Sequence, residues 1–252
     1  MSVYLITHKP FKQPREYGYK SLLVGAYKGH NFGDVFDDEG DNISTKNANY
    51  CELTGVYWIW KNLKDSYVGI IHYRRRFTNH LRDLTVVSEK DILKILDKHD
   101  IILPFMRTLD MGVEAQYCEE SGYKKDLDKV REIINQKYPK YIDTYDEVMG
   151  GNTVYFGNMM ICKKDIYDKY CTWLFDILFE LEKYIDLEGY TDYQKRIYGF
   201  ISERLLTVWV RENKLDIFEM GVVATEEKFP FPKNILIRLK RVIKYYSQTL
   251  FK

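Results

Sequence analysis

Val68-Gly69-Ile70-Ile71-His72-Tyr73-Arg74-Arg75-Arg76 divides into two halves of opposite chemistry. The first is a short apolar run rich in β-branched residues, with the length and composition of a buried strand. The second is a cluster of cations. In open α/β sheets ligands bind in the crevice beyond the carboxyl ends of the strands. A strand ending in His72, Arg74 and Arg75 therefore aims fixed positive charge into that crevice and predicts an anionic ligand there. The competing reading is a solvated basic turn, because runs of charge are usually surface features.

Outward from this strand the chain alternates strand-like and helix-like segments. Val3-Tyr4-Leu5-Ile6 reads as a first strand and Ser21-Leu22-Leu23-Val24-Gly25 as a second, followed by a polar stretch from Lys28 to Asn42. Asn49 and Glu52 have the spacing of a capping pair, and Tyr50, Leu53, Tyr57 and Trp60 give the helix behind them an apolar face up to about Asn62. A strand over 67–73, a helix near 89–98 and a strand over 100–104 complete a βαβαβ rhythm, for which right-handed parallel crossovers are expected. The second half predicts a loop over 107–123, a helix near 126–138, a strand over 154–162, a long helix over 165–184 and another over 199–210. The fold class expected is α/β, a Rossmann-type, mostly parallel sheet flanked by helices.

At 252 residues, 45% hydrophobic and 30% charged, the chain is long enough for a substantial core. One domain over 1–227 followed by a basic segment over 228–252 is the economical division. No apolar run approaches the ~18 residues needed to span a bilayer. Met1-Ser2-Val3-Tyr4 leads straight into a strand without a signal-peptide pattern, so a cytoplasmic location is expected. Cys51, Cys118, Cys162 and Cys171 lack CxxC spacing, which indicates neither a zinc site nor a disulfide framework.

The net charge of +1 hides an asymmetry. Seven cations and no acid lie from Lys228 onward, leaving residues 1–227 at −6. Within the tail Ile235, Leu239, Val242, Ile243, Tyr246 and Leu250 recur at helical spacing, the pattern of a basic amphipathic helix. Such a helix either lies on an anionic membrane, where each basic residue contributes ~1 kcal/mol, or packs on the domain's own core.

Three blocks resemble a known family. They are Ser44-Thr45-Lys46-Asn47 with Tyr50-Cys51-Glu52-Leu53-Thr54-Gly55-Val56-Tyr57-Trp58-Ile59-Trp60-Lys61-Asn62; Gly69-Ile70-Ile71-His72-Tyr73-Arg74-Arg75; and Gly157-Asn158-Met159-Met160-Ile161 through Tyr170-Cys171-Thr172-Trp173 to Arg196–Leu205. Together they resemble a bacterial family encoded in capsule and exopolysaccharide gene clusters, long labelled only as a domain of unknown function. That family is similar to glycosyltransferases of the GT-A fold, with galactofuranosyl transfer among its assigned activities. The resemblance runs from residue 3 to about 220 and leaves the basic tail outside.

The resemblance implies a nucleotide-sugar donor, most simply a UDP-sugar, bound at the carboxyl ends of the first strands. Most GT-A enzymes neutralise its diphosphate with a metal held by an Asp-x-Asp after a central strand. Here His72-Tyr73-Arg74-Arg75 occupy that place, and guanidinium groups form charge-assisted, bidentate bonds to phosphate. A metal-independent site without further cofactor is therefore expected. Asp37-Asp38-Glu39 with Asp41, and Asp126-Leu127-Asp128, keep a metal alternative open. Thr7, His8 and Lys9 are expected near the nucleoside, Val24 and Gly25 near the base, and Lys46 and Asn47 near ribose or phosphate. Arg204 and Arg196 are expected to add to the diphosphate clamp.

An inverting transfer needs a base to take the acceptor's proton. Glu203 is the first candidate, with Asp110 and Glu114 as alternatives; an ion pair with Arg204, Arg196 or Arg74 is the structural reading of Glu203. The leading function is thus transfer of a sugar to a lipid-linked glycan acceptor, with the tail on the inner face of the plasma membrane. A non-catalytic nucleotide-sugar or glycan-binding subunit is the alternative. Nucleic acid is not an expected partner, because residues 1–227 lack the broad basic charge of a nucleic-acid binder. The sequence does not fix the oligomeric state.

Overall fold

A computed structural model describes residues 1–29, 32–79, 86–225 and 233–250. Strands β1 (Ser2–Thr7) and β2 (Tyr19–Leu23) pair in parallel, with Ile6 opposite Leu22. A short strand, β3 (Val35–Phe36), extends this edge from within the polar stretch that concealed it. The helix expected up to Asn62 is broken in two, α1 (Asn47–Tyr50) and α2 (Leu53–Asn62). At the break Cys51 takes φ 52° and ψ −126°, a backbone that a residue with a Cβ holds only where its surroundings enforce it. The expected capping pair does not form, because both side chains find partners distant in sequence. Asn49 donates to the Lys195 carbonyl at 2.9 Å, and Glu52 accepts from the Asn158 amide at 2.8 Å.

The next strand, β4 (Tyr67–His72), lies parallel to β1 and is buried from Val68 to Ile71. A turn at Tyr73 and Arg74 reverses the chain into β5 (Arg75–Phe77), so the cationic run is the tip of a hairpin. Ser88 caps α3 (Glu89–Leu96) by accepting from the Asp91 N–H, and β6 (Ile101–Pro104) follows.

The second half departs further from its reading. The expected loop over 107–123 contains β7 (Arg107–Thr108) and α4 (Val113–Glu120). After α5 (Lys124–Lys137) comes a helix the sequence reading missed, α6 (Ile142–Gly150). The apolar run 154–162 is not one strand. It splits into β8 (Thr153–Val154), which pairs with β7 outside the main sheet, and β9 (Met160–Lys163). Between them Gly157 (φ 94°) and Asn158 (φ 47°) are left-handed, which interrupts an extended chain. Because β9 runs antiparallel between β4 and β6, the sheet is mixed. Helices α7 (Lys164–Glu182) and α8 (Ile197–Glu212) lead to β10 (Ile217–Met220), parallel to β6. Strand β11 (Val222–Ala224) pairs with β5, and α9 (Lys233–Leu250) ends the described chain.

The strand order is β10-β6-β9-β4-β1-β2-β3. Successive side chains of a strand point to opposite faces, and β1 supplies both cores: Tyr4 and Ile6 join the larger one with α2, α5, α7 and α8, whereas Val3 and Leu5 join the smaller one with α3 and Tyr245 of α9. The result is the expected α/β class, a mostly parallel sheet flanked by helices. No described helix is long and apolar enough to cross a membrane.

Candidate active site

The carboxyl ends of β1, β2 and β4 open into a cavity of about 520 Å³. His8 and Lys9 enter it from the end of β1, Val24 from β2 and His72, Tyr73, Arg74 and Arg75 from the hairpin after β4. Asn47, Ala48, Cys51 and Glu52 close it from the α1–α2 break, and Gly157, Arg196, Gly199, Phe200 and Glu203 from the far side. Three parallel strands end together, so residues more than sixty positions apart converge on one mouth rimmed by cations. Arg74 and Arg75 are exposed at its rim. Lys9 and the Arg74 guanidinium both lie over the Tyr73 ring, at 5.3 and 5.6 Å, and His8 meets that ring edge-on at 5.4 Å. Tyr73 lines the cavity, is 5% exposed, and its hydroxyl has no hydrogen-bond partner among the described residues.

His72 is turned to a different task from the one expected of it. Its Nε2 lies 2.5 Å from the Gly157 carbonyl oxygen, which accepts only, so Nε2 carries the proton. Burial pulls the imidazole below its ordinary pKa, against the raising influence of Glu52 and with Arg75 and Arg74 adding to the fall. A neutral His72 therefore fixes the backbone of the Gly157 loop and supplies no standing charge to a phosphate.

Glu203 rises from α8 into the same space with its side chain 16% exposed. One oxygen accepts from the Gly157 N–H at 2.8 Å and the other lies 3.2 Å from Arg204 Nη1. Burial raises the carboxyl pKa to about 7, with Glu52 adding to the rise, while Arg204, the Gly157 N–H and Arg75 hold it down. At neutral pH such a group divides between acid and base. Arg204 itself is 1% exposed and donates to the Phe200 carbonyl at 2.8 Å and to Gln116. It positions Glu203 from beneath and does not line the first cavity, contrary to its expected place in a diphosphate clamp.

A second cavity of about 790 Å³ shares Arg74, Arg75, Arg196, Phe200 and Glu203 with the first. Beyond these it is walled by Phe105, Arg107, Phe156 and Tyr193, and by Ile237 and Arg241 of α9. Glu203 therefore stands where two cavities meet, beside the guanidinium groups common to both.

Other expected positions lie elsewhere. The Thr7 hydroxyl is buried in a local turn, donating to the Lys9 carbonyl and accepting from the Lys9 N–H. Gly25, left-handed at φ 66°, donates its N–H to Asp37 and stands against Asn47 without lining the cavity. Lys46 grips Glu182 through both carboxylate oxygens and lies over Tyr50 and Phe179, which takes it away from ribose or phosphate. Asp110 lines neither cavity, and Glu114 is bound to Lys124 at 3.0 Å; neither is placed to serve as the base. Of the acidic clusters, Asp37 accepts from the Gly25 and Ala26 N–H groups and from Ser44, and Asp41 from Tyr57. Asp126 accepts from Tyr117, Tyr190 and the Tyr123 N–H. These acids are tied up in holding loops.

Glu52, Gly157 and Phe200 are cavity residues to which sequence reasoning gave no role. A Gly-Asn dipeptide inside an apparent strand was the available signal for the 157–158 turn. Glu52 gave a misleading one, since its distance from Asn49 imitates a cap. Cys51 is bonded by Arg196 Nε at 3.2 Å, and burial pushes its thiol up to about 11, which keeps it from acting as a nucleophile.

Among solved structures the chain is similar to WbbM, a bifunctional glycosyltransferase in its apo form, with a TM-score of 0.82 and 28% sequence identity. The match covers 91% of this chain and 47% of that one, so the chain spans about half the length of this relative. The fold is accordingly GT-A-like, as the motif resemblance implied. No curated protein gives a significant match. The family described as "Domain of unknown function (DUF4422)" matches residues 2–214, and the chain belongs to it.

Proposed function

We propose that the chain is a glycosyltransferase that moves a hexosyl unit from a UDP-sugar to a lipid-linked glycan acceptor, with inversion and without a divalent metal. The observation that carries this reading is the position of Glu203 at the junction of two cavities, one of them rimmed by cations. The nucleoside is assigned to the His8 and Val24 end of the first cavity and the diphosphate to Lys9, Arg74, Arg75 and Arg196. Fixed guanidinium groups there stabilise the charge that develops on the departing UDP. The acceptor is assigned to the second cavity, whose wall includes Phe105, Phe156 and Tyr193, aromatic side chains of the kind against which a sugar ring packs. Glu203 then takes the proton of the acceptor hydroxyl as that oxygen attacks the anomeric carbon and the bond to UDP breaks. Its pKa near 7 suits a base working close to neutrality. Similarity to WbbM and the DUF4422 membership support the reaction class, and the motif resemblance makes UDP-galactose and UDP-galactofuranose the first donors to try.

The test is UDP release from these donors in the presence of a lipid-linked glycan, with and without EDTA. Acceptor-dependent release that survives chelation is expected. Tight UDP binding with no release from any donor would instead describe a non-catalytic nucleotide-sugar binder.

A further inference from the structure

The tail helix faces the opposite way from an ordinary docked amphipathic helix. Ile235, Leu236, Leu239, Ile243 and Tyr246 of α9 are all exposed, from 40% for Ile235 to 65% for Ile243. At helical spacing they fall within a sector about 100° wide, a continuous apolar stripe. The other side of α9 holds the domain through polar contacts and one aromatic. Arg241, 5% exposed, lies across Gly221 so closely that a Cβ there would come within 1.8 Å of the Arg241 Cγ. Gln248 accepts from the Glu219 N–H at 3.0 Å and donates to its carbonyl at 2.8 Å, and Lys244 pairs with the Glu219 carboxylate. Tyr245 packs on Phe218 with ring centroids 5.7 Å apart. These contacts fix the rotation of α9 about its axis and turn the stripe outward.

A contiguous apolar stripe of this kind marks an interaction surface. Charge selects the partner: the sequence from Lys228 to Lys252 carries seven cations and no acid, and although Arg241 is buried and Lys244 is held by Glu219, Lys240 is exposed on α9. A second copy meeting this stripe would bring two such cationic segments together. An anionic lipid surface accepts both the apolar side chains and the charge. We infer that α9 seats the protein on an anionic membrane through Ile235, Leu236, Leu239, Ile243 and Tyr246. The same helix contributes Ile237 and Arg241 to the second cavity, which brings that cavity's wall to the lipid surface. Membrane seating stands on α9 alone; only its link to a lipid-linked acceptor rests on the proposed function.

The experiment is flotation of the full chain with phosphatidylcholine vesicles, with and without phosphatidylglycerol. Wild type is expected to float with the anionic vesicles and to be released as salt rises from about 0.1 M to about 1 M, where the screening length falls from ~10 Å to ~3 Å. Combined Ile235→Ser, Leu239→Ser, Ile243→Ser and Tyr246→Ser should abolish flotation while leaving the melting temperature and UDP affinity unchanged, since these side chains face away from the domain. Lys240→Gln alone should weaken binding about fivefold, the equivalent of one basic residue near such a surface. Failure of wild type to float, or equal flotation of the fourfold variant, would overturn the inference. So would a concentration-dependent dimer abolished by that variant, which would assign the stripe to a second copy. Vesicle binding is read without substrate, so its outcome is separate from that of the UDP-release assay.

Discussion

His72 and Glu203 hold opposite ends of one residue: the imidazole donates to the Gly157 carbonyl at 2.5 Å, and the carboxylate accepts from the Gly157 N–H at 2.8 Å. The proposed base is therefore positioned by a loop that the strand-end histidine fixes. Gly157 sits at φ 94°, where a Cβ is strained although the nearest atoms stand 3.8 Å away. Gly157→Ala should cost on the order of 1 kcal/mol in stability and lower turnover by a larger factor than it changes UDP affinity. Melting curves and steady-state kinetics on the one variant separate the two effects; unchanged turnover would show that Glu203 does not depend on this loop.

Arg74 and Arg75 end the hairpin at the cavity mouth, and a phosphate contact there is charge-assisted. Arg74→Ala and Arg75→Ala should each weaken UDP roughly tenfold or more, since bonds to charged groups are worth about 1.5–3 kcal/mol, and should leave uridine affinity nearly unchanged. Calorimetric titrations of the two ligands, repeated with EDTA, read both this contrast and the metal-free clamp. A UDP affinity that vanished on chelation would contradict it.

Lys46 belongs to the family-like block before α1 yet is spent on Glu182. Lys46→Met should lower the melting temperature slightly, as a half-exposed pair worth at most about 1 kcal/mol implies, and leave UDP affinity at the wild-type value. A marked loss of UDP binding would return Lys46 to the nucleotide site.

The raised carboxyl of Glu203 also has a stability signature. A group whose folded pKa lies above its unfolded value stabilises the fold fully at pH below the ordinary carboxyl range and loses that contribution as pH rises through the folded pKa. Wild type should therefore lose stability relative to Glu203→Gln between about 4.5 and about 7. Parallel unfolding curves of the two proteins across this range check the sign; a constant difference would show an unshifted Glu203.

The central strands were legible because composition alone decides them. Val68–Ile71 and Val3–Ile6 are apolar, β-branched and short, and both fold as read. The cationic run after β4 likewise located the cavity mouth before any geometry was known. What stayed hidden depends on partners far away in the chain. Asn49 and Glu52 are drawn from their local cap by Lys195 and Asn158, which breaks the helix at Cys51 and delivers Glu52 to the cavity. The 154–162 segment is apolar on either side of Gly157-Asn158, so its period gave no warning, and that dipeptide was the sign, that the chain turns there beneath Glu203. In α9 the apolar side was legible but its direction was not. That direction is set by Glu219 and by the bare backbone of Gly221, neither of which any periodicity within the helix reveals.

The most direct test of Glu203 as the base is the pH dependence of turnover for transfer from a UDP-sugar, measured on wild type and Glu203→Gln with donor and acceptor saturating. The carboxylate is the working form, so wild-type kcat should rise with pH and reach half its plateau near 7. The Gln variant should retain UDP affinity but fall by roughly 10² or more in kcat and lose that acidic limb. A Gln variant with near-normal turnover, or a wild-type profile flat through pH 7, would contradict the assignment.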